Sequence, residues 1–69
     1  MNAAQCRAGR ALINMTVKEL AARAKVATST IIRLEHGEEL KPRTVDDIRA
    51  ALEAAGVELV EGGGVRPRA

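Results

Sequence analysis

Apolar residues recur at helical spacing along most of this chain. Ala3, Cys6, Arg10 and Ile13 fall on one stripe, and Asn2 stands where a side chain can cap the first turn. This predicts a helix running to about Ile13. An arginine within that stripe requires a buried acidic partner. Thr16-Val17-Lys18-Glu19 has the spacing of a capping box: the Thr16 hydroxyl accepts from the Glu19 amide, and the Glu19 carboxylate accepts from the Thr16 amide. Met15 and Leu20 occupy the positions of a hydrophobic staple. A second helix, about two turns long, is therefore expected to end near Ala24.

Lys25-Val26-Ala27 breaks the pattern. Thr28-Ser29-Thr30 offers a cap for a third helix through Glu35, which Gly37 ends in the left-handed conformation. Glu38 to Pro42 read as a loop, because the residue before a proline avoids the helical region. Thr44 is expected to cap a fourth helix with Asp46 and Asp47 in its first turn. Val45, Ile48, Leu52 and Ala55 form its apolar stripe, and Gly56 stops it. Val57-Glu58-Leu59-Val60 alternates in part and reads as a short strand. Gly62-Gly63-Gly64 is a turn or flexible break. Val65 to Arg68 form a second strand or a basic tail, and Pro67 limits any strand there to an edge.

Composition narrows this picture. The chain has 69 residues and no aromatic side chain, so its core must be built from Ala, Leu, Ile and Val. Together with the pattern, this gives an all-α domain of four helices over residues 1–56, with a C-terminal strand or hairpin over residues 57–69. A core this small leaves stability marginal, and a partner subunit would help. No apolar run approaches the roughly 18 residues of a membrane span, and no apolar leader is evident. One cysteine, Cys6, permits no internal disulfide and suits a reducing compartment, so a cytoplasmic, nucleoid-associated location is expected. Cys6 reads as a small buried apolar residue and His36 as an exposed residue at a helix end. One Cys and one His do not make a structural zinc site, so no metal and no cofactor are expected. There is no nucleophile–base set and no glycine-rich phosphate loop before a helix. The chain is not expected to be an enzyme or to hold a small-molecule ligand.

Charge is unevenly placed. Residues 1–34 hold six Lys or Arg against Glu19 alone, a net +5, whereas residues 35–69 hold five against eight acids, a net −3. The asymmetry fits an anionic partner facing the N-terminal half, or a plain solvated surface.

Two short helices joined by a three- or four-residue turn can form the compact helix-turn-helix that reads DNA. Counting Val17 as the first of twenty positions, the fifth, Ala21, must be small because the helices cross against it. Leu20, Ala24, Val26, Ile31 and Leu34 take the apolar positions that close the angle. The stretch from Arg10 to Leu52 resembles the Cro and lambda-repressor-like, or Xre-type, family. The resemblance is most specific in MTVKELAARAKVATSTIIRLEHG followed by KPRTVDDIRAALEAAGV. It implies a repressor-like fold, and it pairs Arg10 of the first helix with Glu35 at the end of the third. It departs from the family at Lys25, where glycine is usual, at Val17, where glutamine is frequent, and in lacking a fifth helix.

In such a motif the second helix enters the major groove with its N-terminal residues at the base edges. By position the base-reading candidates are Thr28, Ser29, Ile32 and Arg33. Arg33 leads, because a guanidinium on guanine is the commonest specific contact. Ser29 reads equally as a helix cap, and Ile32 equally as a core or dimer contact. Thr16, Val17 and Lys18, at a helix N-terminus, are the phosphate-binding candidates, and the resemblance adds Lys41 and Arg43. Glu38 and Glu39 would oppose phosphate, so the loop carrying them is expected to tilt them outward.

The expected function is thus sequence-specific binding of double-stranded DNA by a bacterial or phage transcriptional regulator. An antitoxin or antiactivator that uses the same fold to bind a regulatory protein is the alternative. A single helix reads too few base pairs to be selective, so a homodimer on a pseudo-palindrome is expected. Val57, Leu59 and Val60 are its candidate interface, paired either with Val65–Arg68 of the same chain or with the partner's strand.

Overall fold

The computed structural model describes residues 1–68. Four helices, α1 (Ala3–Leu12), α2 (Val17–Ala24), α3 (Thr28–Glu35) and α4 (Pro42–Ala54), precede an antiparallel hairpin of β1 (Val57–Val60) and β2 (Gly64–Pro67). The fold is a small helical domain with a two-stranded element, and not purely α.

The helix starts follow local chemistry, with two departures from expectation. Asn2 caps α1 in a full capping box whose other half is Gln5, and Thr16 and Glu19 form the box expected for α2. The third helix instead takes Ala27 as its N-cap, with no side chain bonding the first turn. Thr28 is already helical there, so none of the three hydroxyl residues serves as the cap. The fourth helix begins at Pro42, two residues before the expected Thr44 cap. Proline suits the first helical position because its φ is preset and the missing N–H would have no partner there. Lys41 before it is extended at ψ 139°, as a residue preceding proline should be. Asp46 and Asp47 consequently fall outside the first turn.

Three helices end in the same way. A left-handed residue (Asn14 at φ 54°, Lys25 at 59°, Gly37 at 88°) lets the next amide donate back across the last turn. The bonds are Met15 to the Arg10 carbonyl, Val26 to Ala21 and Glu38 to Arg33. These are Schellman closures, which satisfy carbonyls that the helix leaves free. Lys25 therefore adopts the conformation that glycine usually supplies at this step. Asn14 takes the same role at the end of α1, an asparagine entering the left-handed region more readily than most side chains.

The core holds Cys6, Met15, Leu20, Ala21, Ala24, Ile31, Leu34, Ile48, Ala51, Leu52 and Val57. Every position that should close the angle between α2 and α3 is in this cluster, except Val26, which packs on its margin. Gly9, in the middle of α1, lies beneath the side chains of Leu52 and Val57, where an added Cβ would meet them at ordinary contact distances of 3.5 Å and 3.4 Å.

The hairpin pairs Val57 with Pro67, Glu58 with Arg66, Leu59 with Val65 and Val60 with Gly64. Of the two pairings considered for residues 57–60, the one within the chain is thus formed. Val57 is fully buried in the core of its own chain, so the boundary expected after Gly56 does not divide the core. Leu59 and Val65 pack on the same core, while Glu58 and Arg66 form an ion pair on the outer face. Gln5 fastens the hairpin to α1: its buried side-chain amide donates to the Val60 carbonyl at 3.0 Å and to the Gly64 carbonyl at 3.2 Å.

Candidate nucleic-acid interface

The amphipathic split of α3 is the centre of the site. Ile31 and Leu34 are core residues, which turns Thr28, Ser29, Ile32 and Arg33 to solvent. Ile32 is 44% exposed, so it is not a core residue. The hydroxyls of Thr28 and Ser29 make no hydrogen bond among the described residues, and Ser29 does not cap the helix. The start of α3 thus presents two unengaged hydroxyls, an exposed branched aliphatic chain and a guanidinium on one face. That set offers donors, acceptors and an apolar contact to an edge-on ligand.

Arg33 is not free. Its Nε donates to Glu38 Oε2 at 2.9 Å and its Nη2 to Glu38 Oε1 at 2.7 Å. The bond raises the guanidinium pKa and lowers that of the carboxyl. The expectation that the loop tilts Glu38 outward therefore fails. The closure of α3 at Gly37 carries the chain back, and the Glu38 carboxylate lands beside Arg33. The sequence reading missed this partner.

The other candidates surround α3. Thr16 and Lys18 are exposed and Val17 half-buried at the start of α2. The capping box there occupies the amides of Thr16 and Glu19 and holds the Glu19 carboxyl below its ordinary value through its bonds to Thr16. The amides of Val17 and Lys18 have no partner among the described residues, which leaves them for an anion, although the Glu19 carboxylate stands close by. Lys41 and Arg43 are exposed at the entry to α4. A shallow depression lined by Ala27, Thr30, Arg33, Glu39, Lys41 and Thr44 joins the α3 face to that entry. The structure thus brings Arg33 and Lys41 to one surface, together with the acidic Glu39.

Behind this surface, Arg10 grips Glu35 through Nε to Oε2 at 2.6 Å and Nη2 to Oε1 at 2.7 Å. The Cys6 thiol donates to the same carboxylate at 3.1 Å, and Arg7 donates to the Glu35 backbone carbonyl. Burial pushes the Glu35 carboxyl up, but the bonds from Arg10 and Cys6 outweigh it and leave the carboxyl below its ordinary value. Burial, followed by the bond to Glu35, pushes the Cys6 thiol up to about 12. It remains a protonated donor, not a reactive thiolate. The cluster fixes the end of α3 against α1 and so sets the angle of the exposed face.

Of the proposed interface residues, Val57 has no exposed surface, and Leu59 and Val60 are half-buried. No group of His, Cys, Asp and Glu side chains among the described residues is placed to hold a metal ion. No helix among them is long and apolar enough to cross a membrane. No family model matches the chain, and no curated protein matches it.

Proposed function

We propose that this protein is a sequence-specific double-stranded DNA-binding regulator of the Cro and lambda-repressor-like helix-turn-helix kind, with α3 as its recognition helix. The observation that carries this reading is the outward face of α3. Thr28, Ser29, Ile32 and Arg33 stand exposed on it, while Ile31 and Leu34 of the same helix are buried. A helix carrying this set fits the major groove, where Arg33 meets guanine, Ile32 a thymine methyl, and Thr28 and Ser29 base or phosphate oxygens. Lys18 and the free amides of α2, with Lys41 and Arg43 on the other side, serve as phosphate contacts. The protein works as a homodimer in the cytoplasm. Unpaired strand edges of the hairpin, with Val60 and Leu59, form the contact between copies, and the two recognition helices address half-sites roughly 34 Å apart.

The exposed Ile32 also suits a protein partner, as in an antitoxin or antiactivator, and one measurement separates the two. Binding to mixed-sequence duplex DNA is followed by mobility shift at low and moderate salt. A DNA-binding protein loses affinity steeply as salt rises, because phosphate contacts release counterions. Absence of binding at low salt would overturn the DNA reading in favour of the protein-binding one.

A further inference from the structure

The closure of α3 places two side chains together that helical spacing would not. In a Schellman motif the residue after the left-handed glycine lies over the third residue from the helix end, usually as an apolar contact. Here those residues are Glu38 and Arg33. The Glu38 amide donates to the Arg33 carbonyl at 3.0 Å, and the Gly37 amide to the Leu34 carbonyl at 3.0 Å. The Glu38 backbone is thereby fixed to the residue whose side chain its carboxylate holds.

The manner of holding matters. A guanidinium has two usable forks of donors: a side fork from Nε and Nη2, and an end fork from Nη1 and the second hydrogen of Nη2. Glu38 occupies the side fork, with Nε to Oε2 and Nη2 to Oε1. The end fork has no partner among the described residues. It is the fork at the tip of a side chain that is 54% exposed. The pair is half-exposed on both sides, at 54% and 50%, so it adds little to stability. Its effect is to restrict a side chain that otherwise has many rotamers.

We propose that Glu38 is a positioning residue for base reading: it holds the side fork of Arg33 so that the end fork is presented, pre-oriented, to the O6 and N7 of a guanine. The inference rests on the reading of α3 as a DNA-recognition helix. A carboxylate near DNA repels phosphate, so Glu38 should weaken binding to DNA in general while sharpening preference at one base pair. A merely structural residue has no reason to move these two quantities in opposite directions.

The test uses a pool of random-sequence duplexes, selected in parallel with the wild-type protein, Glu38→Ala and Arg33→Ala, with thermal melts as a folding control. The wild type is expected to enrich guanine at a position that Arg33→Ala no longer selects. Glu38→Ala should lose roughly tenfold of the preference at that same position, within the range one bidentate contact supplies. Its affinity for the unselected pool should be equal to that of the wild type or higher. Undiminished guanine preference in Glu38→Ala would overturn the inference and leave the DNA reading standing. So would an equal loss of affinity for every sequence. A wild-type protein that binds no duplex in the pool would sink the DNA reading itself, and this inference with it.

Discussion

Arg10 and Glu35 meet fork to fork, and the carboxylate they share with the Cys6 thiol has no unsatisfied oxygen. The two ends of the pair are not equally sheltered. The Glu35 side chain is 7% exposed and that of Arg10 20%. Removing Arg10 leaves a carboxylate buried with only a thiol donor, whereas removing the Glu35 charge leaves a guanidinium that can still reach water. Arg10→Met should therefore cost about 3 kcal/mol or more, and Glu35→Gln less. In a domain of this size each kcal/mol lowers Tm by about 4–8 °C. Thermal melts that rank the two variants the other way would show that the pair is not the main tie between α1 and α3.

The same carboxyl sets a pH dependence. Glu35 titrates below its ordinary value of 4.5 in the folded protein. A depressed acid stabilises the fold above its unfolded pKa, and that contribution is lost as pH falls through the folded value. Wild-type stability should thus drop below about pH 4.5, and more steeply than that of Glu35→Gln. Denaturant titrations of both proteins between pH 7 and pH 2 measure the difference. Parallel curves would mean that Glu35 is not the group responsible.

Gln5 serves two structures at once. It completes the cap of α1 with Asn2 and donates to two carbonyls of the hairpin. Gln5→Ala should cost about 1–3 kcal/mol, since the Val60 and Gly64 carbonyls both lose its amide, although the Gly63 N–H still reaches the Val60 carbonyl. Hydrogen exchange should quicken first in residues 57–67. Exchange that quickens uniformly over the whole chain would show that Gln5 has no special hold on the hairpin.

Much of this was legible in the sequence because the signals were local. The Thr16–Glu19 box, the stop at Gly37 and the stripe of α4 each depend on steps of about one helical turn or less along the chain. The Arg10–Glu35 pair spans 25 residues, and it was reached only through resemblance to a family. Pro42 overrode Thr44 because a proline can begin a helix without any capping side chain. Gln5 and Gly9 gave no hydrophobic signal, although both are buried. Glu38 could have been found: a glycine at the close of α3 brings the next residue over Arg33, and that rule requires no structure.

On DNA, the two kinds of basic contact should separate. Lys18→Ala should weaken binding to mixed-sequence duplex and reduce the salt slope by roughly one. Arg33→Ala should cost about 1–3 kcal/mol on a selected duplex and relax preference at one base pair. If Arg33→Ala weakens selected and random duplexes by one common factor, it contacts phosphate rather than a base.

The dimer is best tested with a point change. Ending the chain at Gly56 would remove Val57 from the core and both carbonyls that Gln5 holds, so a loss of stability would be confounded with a loss of assembly. Val60, half-buried on the outer face of the hairpin, can be altered more safely. Sedimentation at high micromolar concentration should give a dimer for the wild type and a folded monomer for Val60→Glu. Two monomers, or two dimers, would refute the interface.

Val57 is also the last of the fully buried core residues in chain order. While the chain is still on the ribosome, α1 through α4 emerge before the side chain that seals them and before the carbonyls that Gln5 holds. Val57 packs against α1 and α4, whereas Ile31 and Leu34 seat α3 against α1 and α2, so it is the α1–α4 side of the core that stays open until the hairpin is made. A product cut short by a damaged message or a stalled ribosome would lack the seal and remain open to proteases. The order of synthesis thus leaves the joint between the first and fourth helices as the last part of this core to close.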